Sequence, residues 1–178
     1  MVERPPQTSQ PPLRTDTSAT MAQTIGRIAT LMKSGGVSPG DRAALRRLQP
    51  GQAPPLIWYR FAVLAGLDSL GLSADWVTIV AGIALMSPDA HTAVRGLGEA
   101  LATAGYSELR LERLLVSEGP TQRLLLLRAA RFLAAHHTAI NWNQPAGLLL
   151  ARDADKREAL CDTIASDFYR HLTSPEEA

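Results

Sequence analysis

The sequence predicts an all-α protein of about eight to nine helices, arranged as two small helical bundles in tandem. Apolar residues recur at helical spacing along most of the chain, and helix-starting and helix-ending residues separate these stretches. No stretch alternates apolar and polar residues between boundaries typical of strands. Hydrophobic residues make up 46% of the 178 residues, which is enough for a packed core.

The N-terminal part combines a tail with a first helix. Residues 1–19 are rich in Pro, Ser, Thr and Gln and bury too little apolar surface to become ordered, so we expect a flexible tail. The first helix ends at Gly35-Gly36, and its apolar residues at helical spacing are Ile25, Ile28, Leu31 and Met32.

The second and third helices begin at proline-containing starts. Ser38, Pro39 and Asp41 supply a cap, a proline in the first turn and an acid, and this helix ends by Pro50. Pro54-Pro55 opens the third helix. One side of the third helix is lined by Leu56, Tyr59, Val63, Leu67 and Leu70.

The fourth and fifth helices surround the predicted domain junction. Ser73 starts the fourth helix, and Ser87-Pro88-Asp89 repeats a start signal for a helix that ends at Gly105. We therefore expect the junction between bundles near this region. The predicted units are a flexible tail over residues 1–19, an N-terminal bundle over 20–90 and a C-terminal bundle over 91–174.

The C-terminal part of the sequence indicates four more helices and a turn. Residues 107–117 form a short helix, and residues 120–137 form a long one that is apolar on most of its circumference. Residues 141–143 form a turn that leads into another short helix. Asp153 or Asp155 caps the final helix.

Charge is balanced globally but concentrated locally. The chain has 18 Lys and Arg residues against 17 Asp and Glu residues, and all the basic ones except Lys33 and Lys156 are arginines. Residues 40–47 carry several arginines, and residues 119–152 contain arginines but no acid. The planar guanidinium suits phosphate, so these segments indicate a surface for a polyanion. A bias in genomic base composition would also enrich arginine.

The helical positions of these arginines suggest which ones face outward. Arg42 and Arg46 lie one turn apart with Arg47 beside them, and we expect all three to point away from the core. On the long helix, Arg128 and Arg131 share a side, and Arg123 lies close to it. Arg110 and Arg113 form a further pair, which Glu108 and Glu112 could neutralise. The alternatives are an ordinary solvated helix face or arginines used in internal pairs.

No catalytic or cofactor-binding set is evident. Adjacent histidines His136 and His137 point about 100° apart on a helix and do not suit one metal. Asp153 and Asp155 are explained by helix capping, and the single Cys161 by burial as a small apolar residue. We expect no enzyme activity, no cofactor and no small-molecule substrate. The low aromatic content of 5% favours contacts to the nucleic-acid backbone over base stacking.

No apolar run approaches the length needed to span a bilayer, and the N-terminus lacks the apolar segment of a secretory signal. From these two features we expect a soluble cytoplasmic protein without a membrane partner.

The order of several motifs resembles the CasB family, the small subunit of the type I-E CRISPR complex Cascade. The motifs are GDRAALRR, WYRF, GLGEALATAG, SELRLERLL and LLLRAARFLAAHHTAINW. The similarity extends from Thr24 to Leu172 and is most specific at residues 97–105, at residues 124–133 and at the turn around Trp142. Residues 67–86 match poorly, and the helix after the turn lacks tryptophans common in the family.

The resemblance implies a non-catalytic subunit present in two copies. It implies partners among the backbone and large subunits, a second copy of the chain, guide RNA and target DNA. It further implies a role in steadying the unwound target and holding the displaced strand. By position, Arg131, the pair Arg46-Arg47 and the pair Lys156-Arg157 match basic family residues.

Together, these inferences predict a subunit that binds nucleic-acid backbone during RNA-guided antiviral defence. The alternative from another class is a helical protein-interaction adaptor that makes no direct nucleic-acid contact. The expected contact residues are Arg42, Arg46, Arg47, Arg110, Arg113, Arg123, Arg128, Arg131, Lys156 and Arg157.

Overall fold

The computed structural model describes residues 17–68 and 73–173, and within these ranges it contains nine α-helices and no strand. The helices are α1 Thr17–Lys33, α2 Pro39–Arg46, α3 Leu56–Ala65, α4 Ala74–Met86, α5 Leu97–Thr103, α6 Glu108–Val116, α7 Gly119–Ala135, α8 Asn143–Leu150 and α9 Ala154–Thr173. The prediction of an all-α fold is confirmed. Residues 1–16 of the expected tail lie outside the described residues, and residues 17–19 belong to α1.

Several helix boundaries follow from the caps that the sequence indicated. Ser38 Oγ accepts a hydrogen bond from Asp41 N at 3.1 Å, and Ser73 Oγ accepts one from Trp76 N at 3.2 Å. Asp153 plays the same part for α9. These side chains satisfy N–H groups that have no partner inside the helix, so the starts are determined locally.

The prediction that a helix starts at residues 87–89 is wrong, because α5 begins only at Leu97. The intervening chain bonds to a distant segment instead of coiling. Ile140 N donates to Ala90 O at 3.2 Å, and Thr92 N donates to Ile140 O at 3.0 Å. This short parallel bridge satisfies backbone groups that a helix would otherwise pair internally.

The apolar side assigned to α3 is mostly its exposed side. Leu56, Tyr59 and Val63 are exposed by 88%, 49% and 66%. The residues of this helix that enter the core are Trp58, Phe61, Ala62 and Ala65. Burying this face removes the rings of Trp58 and Phe61 from water, which outweighs burial of the alternative face with Leu56, Tyr59 and Val63. Leu67 is buried beyond the helix end, and Leu70 lies outside the described residues.

Helix α4 occupies the centre of the core and is buried around most of its circumference. It packs against α1, α2, α7 and α8. The indole of fully buried Trp142 lies so close to Gly82 that a side-chain carbon there would collide with the ring. Buried residues on both sides of the predicted boundary at residue 90 therefore belong to one core. The division into two bundles stays a prediction.

Helices α5 and α9 pack most closely at Gly98, where a Cβ would collide with the backbone of Ile164 and Phe168. The first turn of α9 reaches the end of α6, where Arg157 donates to Leu115 O and Ser117 O. No helix in the described ranges has both the length and the apolar character needed to cross a membrane.

Candidate nucleic-acid interface

The basic residues selected from the sequence fall into two groups. One group donates to acceptors within the protein, and we call its members the anchored arginines: Arg42, Arg46, Arg123 and Arg157. The other group makes no side-chain hydrogen bond or ion pair with any described residue. We call its members the surface cations: Arg47, Arg110, Arg113, Arg128, Arg131 and Lys156.

Arg46 is anchored at the C-terminus of α4. Its Nε donates to Ala84 O at 2.9 Å, and its Nη2 donates to Ser87 Oγ at 3.3 Å. The last carbonyls of a helix lack N–H partners and carry partial negative charge, so they attract a guanidinium. Arg46 is exposed, as expected, but its guanidinium donates to these acceptors within the protein. Its half-buried neighbour Arg42 turns inward instead of outward, with Nη2 donating to Val37 O at 3.4 Å.

Arg157 fills the same role at the C-terminus of α6. Its Nη2 donates to Ser117 O at 2.7 Å and to Leu115 O at 3.2 Å. Its Nη1 also lies 3.8 Å from the sulfur of Cys161, and burial raises the pKa of that thiol. Arg157 is thus a bridge that joins the first turn of α9 to the end of α6.

Arg123 pairs with a carboxylate from outside the acid-free segment. Its Nη1 lies 2.8 Å from Asp75 Oδ1, and the two side chains are only 19% and 14% exposed. Asp75 lies in the first turn of α4, so the pair connects α7 to the start of the central helix. A partly buried pair of this kind serves packing between helices before it serves any ligand.

Arg128 and Arg131 are exposed on α7, and Arg131 also lines a groove. The groove has a volume of about 440 Å³ and lies between α7 and residues 48–51, which follow α2. Arg47 lines an adjoining groove that shares Leu48 with the first. The fold therefore brings together the two basic segments that are distant in the sequence.

A second helix contributes to the same cationic surface through Tyr106. The guanidinium carbon of Arg110 lies 5.9 Å from the Tyr106 ring centroid. Burial raises the pKa of Tyr106, and the positive charges of Arg110 and Arg128 oppose that rise. Tyr106 also contacts the ring of Phe132 on α7 at a centroid distance of 5.1 Å, so Arg110 of α6 lies near α7.

A family model described as CRISPR-associated protein Cse2 matches residues 41–169, well over half of the chain. The chain belongs to the Cse2 family. Cse2 is CasB, the small structural subunit of the type I-E Cascade, and it acts in CRISPR defence. No curated protein and no solved structure matches the chain significantly.

The Cse2 match includes every basic residue selected from the sequence, from Arg42 to Arg157. The structure does not gather all of them at one place. Lys156 lies in the first turn of α9 near Asp153, Asp155 and Glu158, so its surroundings are of mixed charge. The surface cations of α7, by contrast, lie in a segment without acids.

Some features of this Cse2 surface were missed by the sequence-based interpretation. Asp75 had no signal that linked it to Arg123, because the two lie on different helices. The contact between Phe132 and His136 had a weak signal in the sequence. Arg128, Phe132 and His136 are spaced four residues apart, which places them on one side of a helix. Glu108, which could have neutralised Arg110 or Arg113, accepts a hydrogen bond from Tyr169 at 3.2 Å.

No group of three or more His, Cys, Asp or Glu side chains is arranged to hold a metal ion within the described part of the chain.

Proposed function

We propose that this Cse2 chain stabilises unwound target DNA in Cascade by binding the phosphates of an unpaired strand. The contact surface is the exposed face of α7 together with the groove beside residues 48–51. The observation that carries the proposal is that Arg128 and Arg131 are exposed without a hydrogen bond or ion pair to any described residue. Folding leaves their donors available to a ligand.

The chemistry of these side chains favours a polyanion. A guanidinium offers several coplanar N–H groups, which match the oxygens of a phosphate in a two-point contact. Arg110 and Arg47 extend the positive surface from α7 toward α6 and α2. Arg113 and Lys156 are exposed as well and are secondary candidates.

The anchored arginines take a different part in the proposal. Arg46, Arg123 and Arg157 use their donors to hold helix ends and helix pairs. Their charge adds to the surface potential, while their removal acts first on the fold. Arg42 belongs with them because it bonds within its own turn and has a buried Nε.

The energetic requirement on such a subunit is modest. Exchange of a DNA duplex for a guide–target heteroduplex is nearly balanced, so backbone contacts to the opened strands can decide whether the open state persists. Each phosphate neutralised contributes about 0.7 to the slope of log affinity against log salt on single strands. A few surface cations therefore suffice to favour the open state.

The salt dependence of single-strand binding tests the proposal. We expect the variant Arg128→Ala/Arg131→Ala to bind an unstructured DNA oligonucleotide more weakly, with a slope smaller by about 1.4 for two phosphates lost. The control is Arg60→Ala, which removes one exposed arginine from α3 where the double variant removes two, so the losses are compared per charge removed. An equal loss in the control, or no salt-dependent binding by the unmodified chain, would reject the proposal.

A protein-interaction role is the second candidate, and the exposed side of α3 favours it. Leu56 and Val63 are exposed by 88% and 66%, and Tyr59 and Leu64 lie on the same helix with nearly half of their surface open. Exposed apolar patches mark protein contacts more often than nucleic-acid contacts. We propose that this face meets a neighbouring Cascade subunit, which is compatible with a separate DNA-binding face.

Substitution of α3 separates the two roles. Leu56→Ser/Val63→Ser removes apolar surface without touching α7, so we expect lower incorporation into Cascade and unchanged binding of free DNA. If free DNA binding falls instead while incorporation is unchanged, α3 does not serve as the subunit contact.

A further inference from the structure

Three rings form a stack that reaches from the core to the surface beside the α7 cations. Tyr106 is buried, and its ring meets the ring of Phe132 edge-on at a centroid distance of 5.1 Å. Phe132 is half-buried and lies against the imidazole of His136, with 4.4 Å between centroids and 38° between planes. His136 is the exposed end of the stack.

The imidazole of His136 is held in place rather than free to rotate. Its Nδ1 lies 2.8 Å from the carbonyl oxygen of Phe132, which can only accept, so this contact assigns the proton to Nδ1. The ring is thus fixed by one hydrogen bond and one ring contact. A planar group that is already ordered loses little conformational entropy when a second planar group stacks on it.

The position of the stack relates it to the cationic surface. Arg128, Phe132 and His136 follow one another at every fourth residue and form a ridge along α7, about 12 Å long at 1.5 Å per residue. Arg131 lies one residue before Phe132, and Arg110 lies over the far ring, Tyr106. A strand held by its phosphates at these arginines would present its unpaired bases to the ridge.

We infer that His136, supported by Phe132, is a base-stacking platform for an unpaired nucleotide of the strand bound by Arg128 and Arg131. The inference rests on the proposed function and adds a contact to the bases themselves. The sequence alone argued against stacking because aromatic residues are few, and the fold places two of them behind a histidine. Stacking of this kind is tolerant of base identity, as an RNA-guided complex requires.

The test compares ring-removing, ring-keeping and neighbouring substitutions in the full-length chain. Binding is measured to an oligo-dA strand and to the same strand with abasic sites. We expect His136→Ala to weaken oligo-dA binding by about five-fold or more, since one stacked base contributes about 1–3 kcal/mol. His136→Phe keeps a ring and should bind within about two-fold of the unmodified chain. His137→Ala is the matched control, because His137 is the adjacent exposed histidine, and it should have no effect.

The outcomes separate this inference from the proposed function. On abasic DNA, His136→Ala and the unmodified chain should bind alike, and the salt slope should be equal for both on either strand. Equal losses for His136→Ala on normal and abasic DNA would overturn base stacking while leaving phosphate binding intact. Reduced incorporation into Cascade with unchanged DNA binding would mean that the platform meets a neighbouring subunit and would also overturn it. Absence of any strand binding by the unmodified chain would overturn both proposals.

Discussion

Arg46 and Arg157 lie on amphipathic helices, as do Arg128 and Arg131, yet the two pairs have different surroundings. Arg46 faces the last carbonyls of α4, and Arg157 faces those of α6. Arg128 and Arg131 face no helix end and no carboxylate among the described residues. For these four residues, the position of neighbouring helix C-termini decides whether an arginine serves the fold or remains available to a ligand.

His91, at the short bridge between its own segment and Ile140, is a basic residue that acts as a hydrogen-bond acceptor. Nδ1 of His91 accepts a hydrogen bond from Trp142 N at 3.2 Å, so the site needs the unprotonated nitrogen. Burial lowers the pKa of His91, against the opposing effect of the Ile140 carbonyl. Arg46 and Arg157 thus meet carbonyl oxygens with their N–H groups, whereas His91 meets an N–H with an unprotonated nitrogen.

The largest expected effect is on stability, from Arg157→Ala. Loss of the donors to Leu115 O and Ser117 O leaves carbonyls at the end of α6 without their partner. We expect the free energy of unfolding in denaturant to fall by about 2–3 kcal/mol, because hydrogen bonds to charged groups are the stronger class. The adjacent Lys156→Ala should change it by less than about 0.5 kcal/mol, as is usual at the surface. Equal effects at the two positions would mean that Arg157 does not anchor α9 to the end of α6.

A smaller effect is expected at the end of α2, where neighbours differ in the same way. Arg46→Ala should lower the free energy of unfolding by about 1 kcal/mol, because its bonds to Ala84 and Ser87 are partly solvated. Arg47→Ala should leave stability unchanged and weaken single-strand binding. The free energy of unfolding is measured for both variants. A larger loss for Arg47→Ala than for Arg46→Ala would contradict this assignment.

The smallest effect is the pH dependence that comes from His91. Since its pKa is lowered in the folded protein, the unfolded chain takes up the proton at a higher pH, and protonation favours unfolding. The contribution of His91 to stability is therefore present above about pH 6.5 and is lost as the pH falls below that value. Unfolding curves between pH 7.5 and 5.5 should show a steeper loss for the unmodified chain than for His91→Gln. Parallel curves would mean that His91 is not held neutral.

Local features of this fold could be predicted from the sequence, and long-range ones could not. Ser38, Ser73 and Asp153 act on N–H groups within three residues. The helix starts at Ser38 and Ser73 were therefore correctly predicted, and Asp153 was one of the two candidates for the cap of α9. The acceptors of Arg46 lie on another helix, and the buried side of α3 depends on which neighbours surround it. The segment before Leu97 is not helical, because its backbone forms hydrogen bonds with Ile140. No local sequence pattern reveals this long-range pairing.

The same division holds for the candidate site. The absence of acids from residues 119–152 was visible in the sequence, while the partner of Arg123, Asp75, lies outside that segment on another helix. The groove that joins Arg131 to residues 48–51 depends on the packing of α2 and α7 around α4. Periodicity could select candidate arginines, while only the fold could sort them by partner.

The lifetime of the opened target in assembled Cascade tests the central claim most directly. Complexes that carry Arg128→Ala/Arg131→Ala should assemble with guide RNA as usual, because neither side chain contributes a hydrogen bond to the described fold. Their opened target DNA should close faster than in complexes with the unmodified chain, and the difference should shrink as salt is raised. An unchanged lifetime in fully assembled complexes would contradict the claim that these two arginines hold the unwound strand.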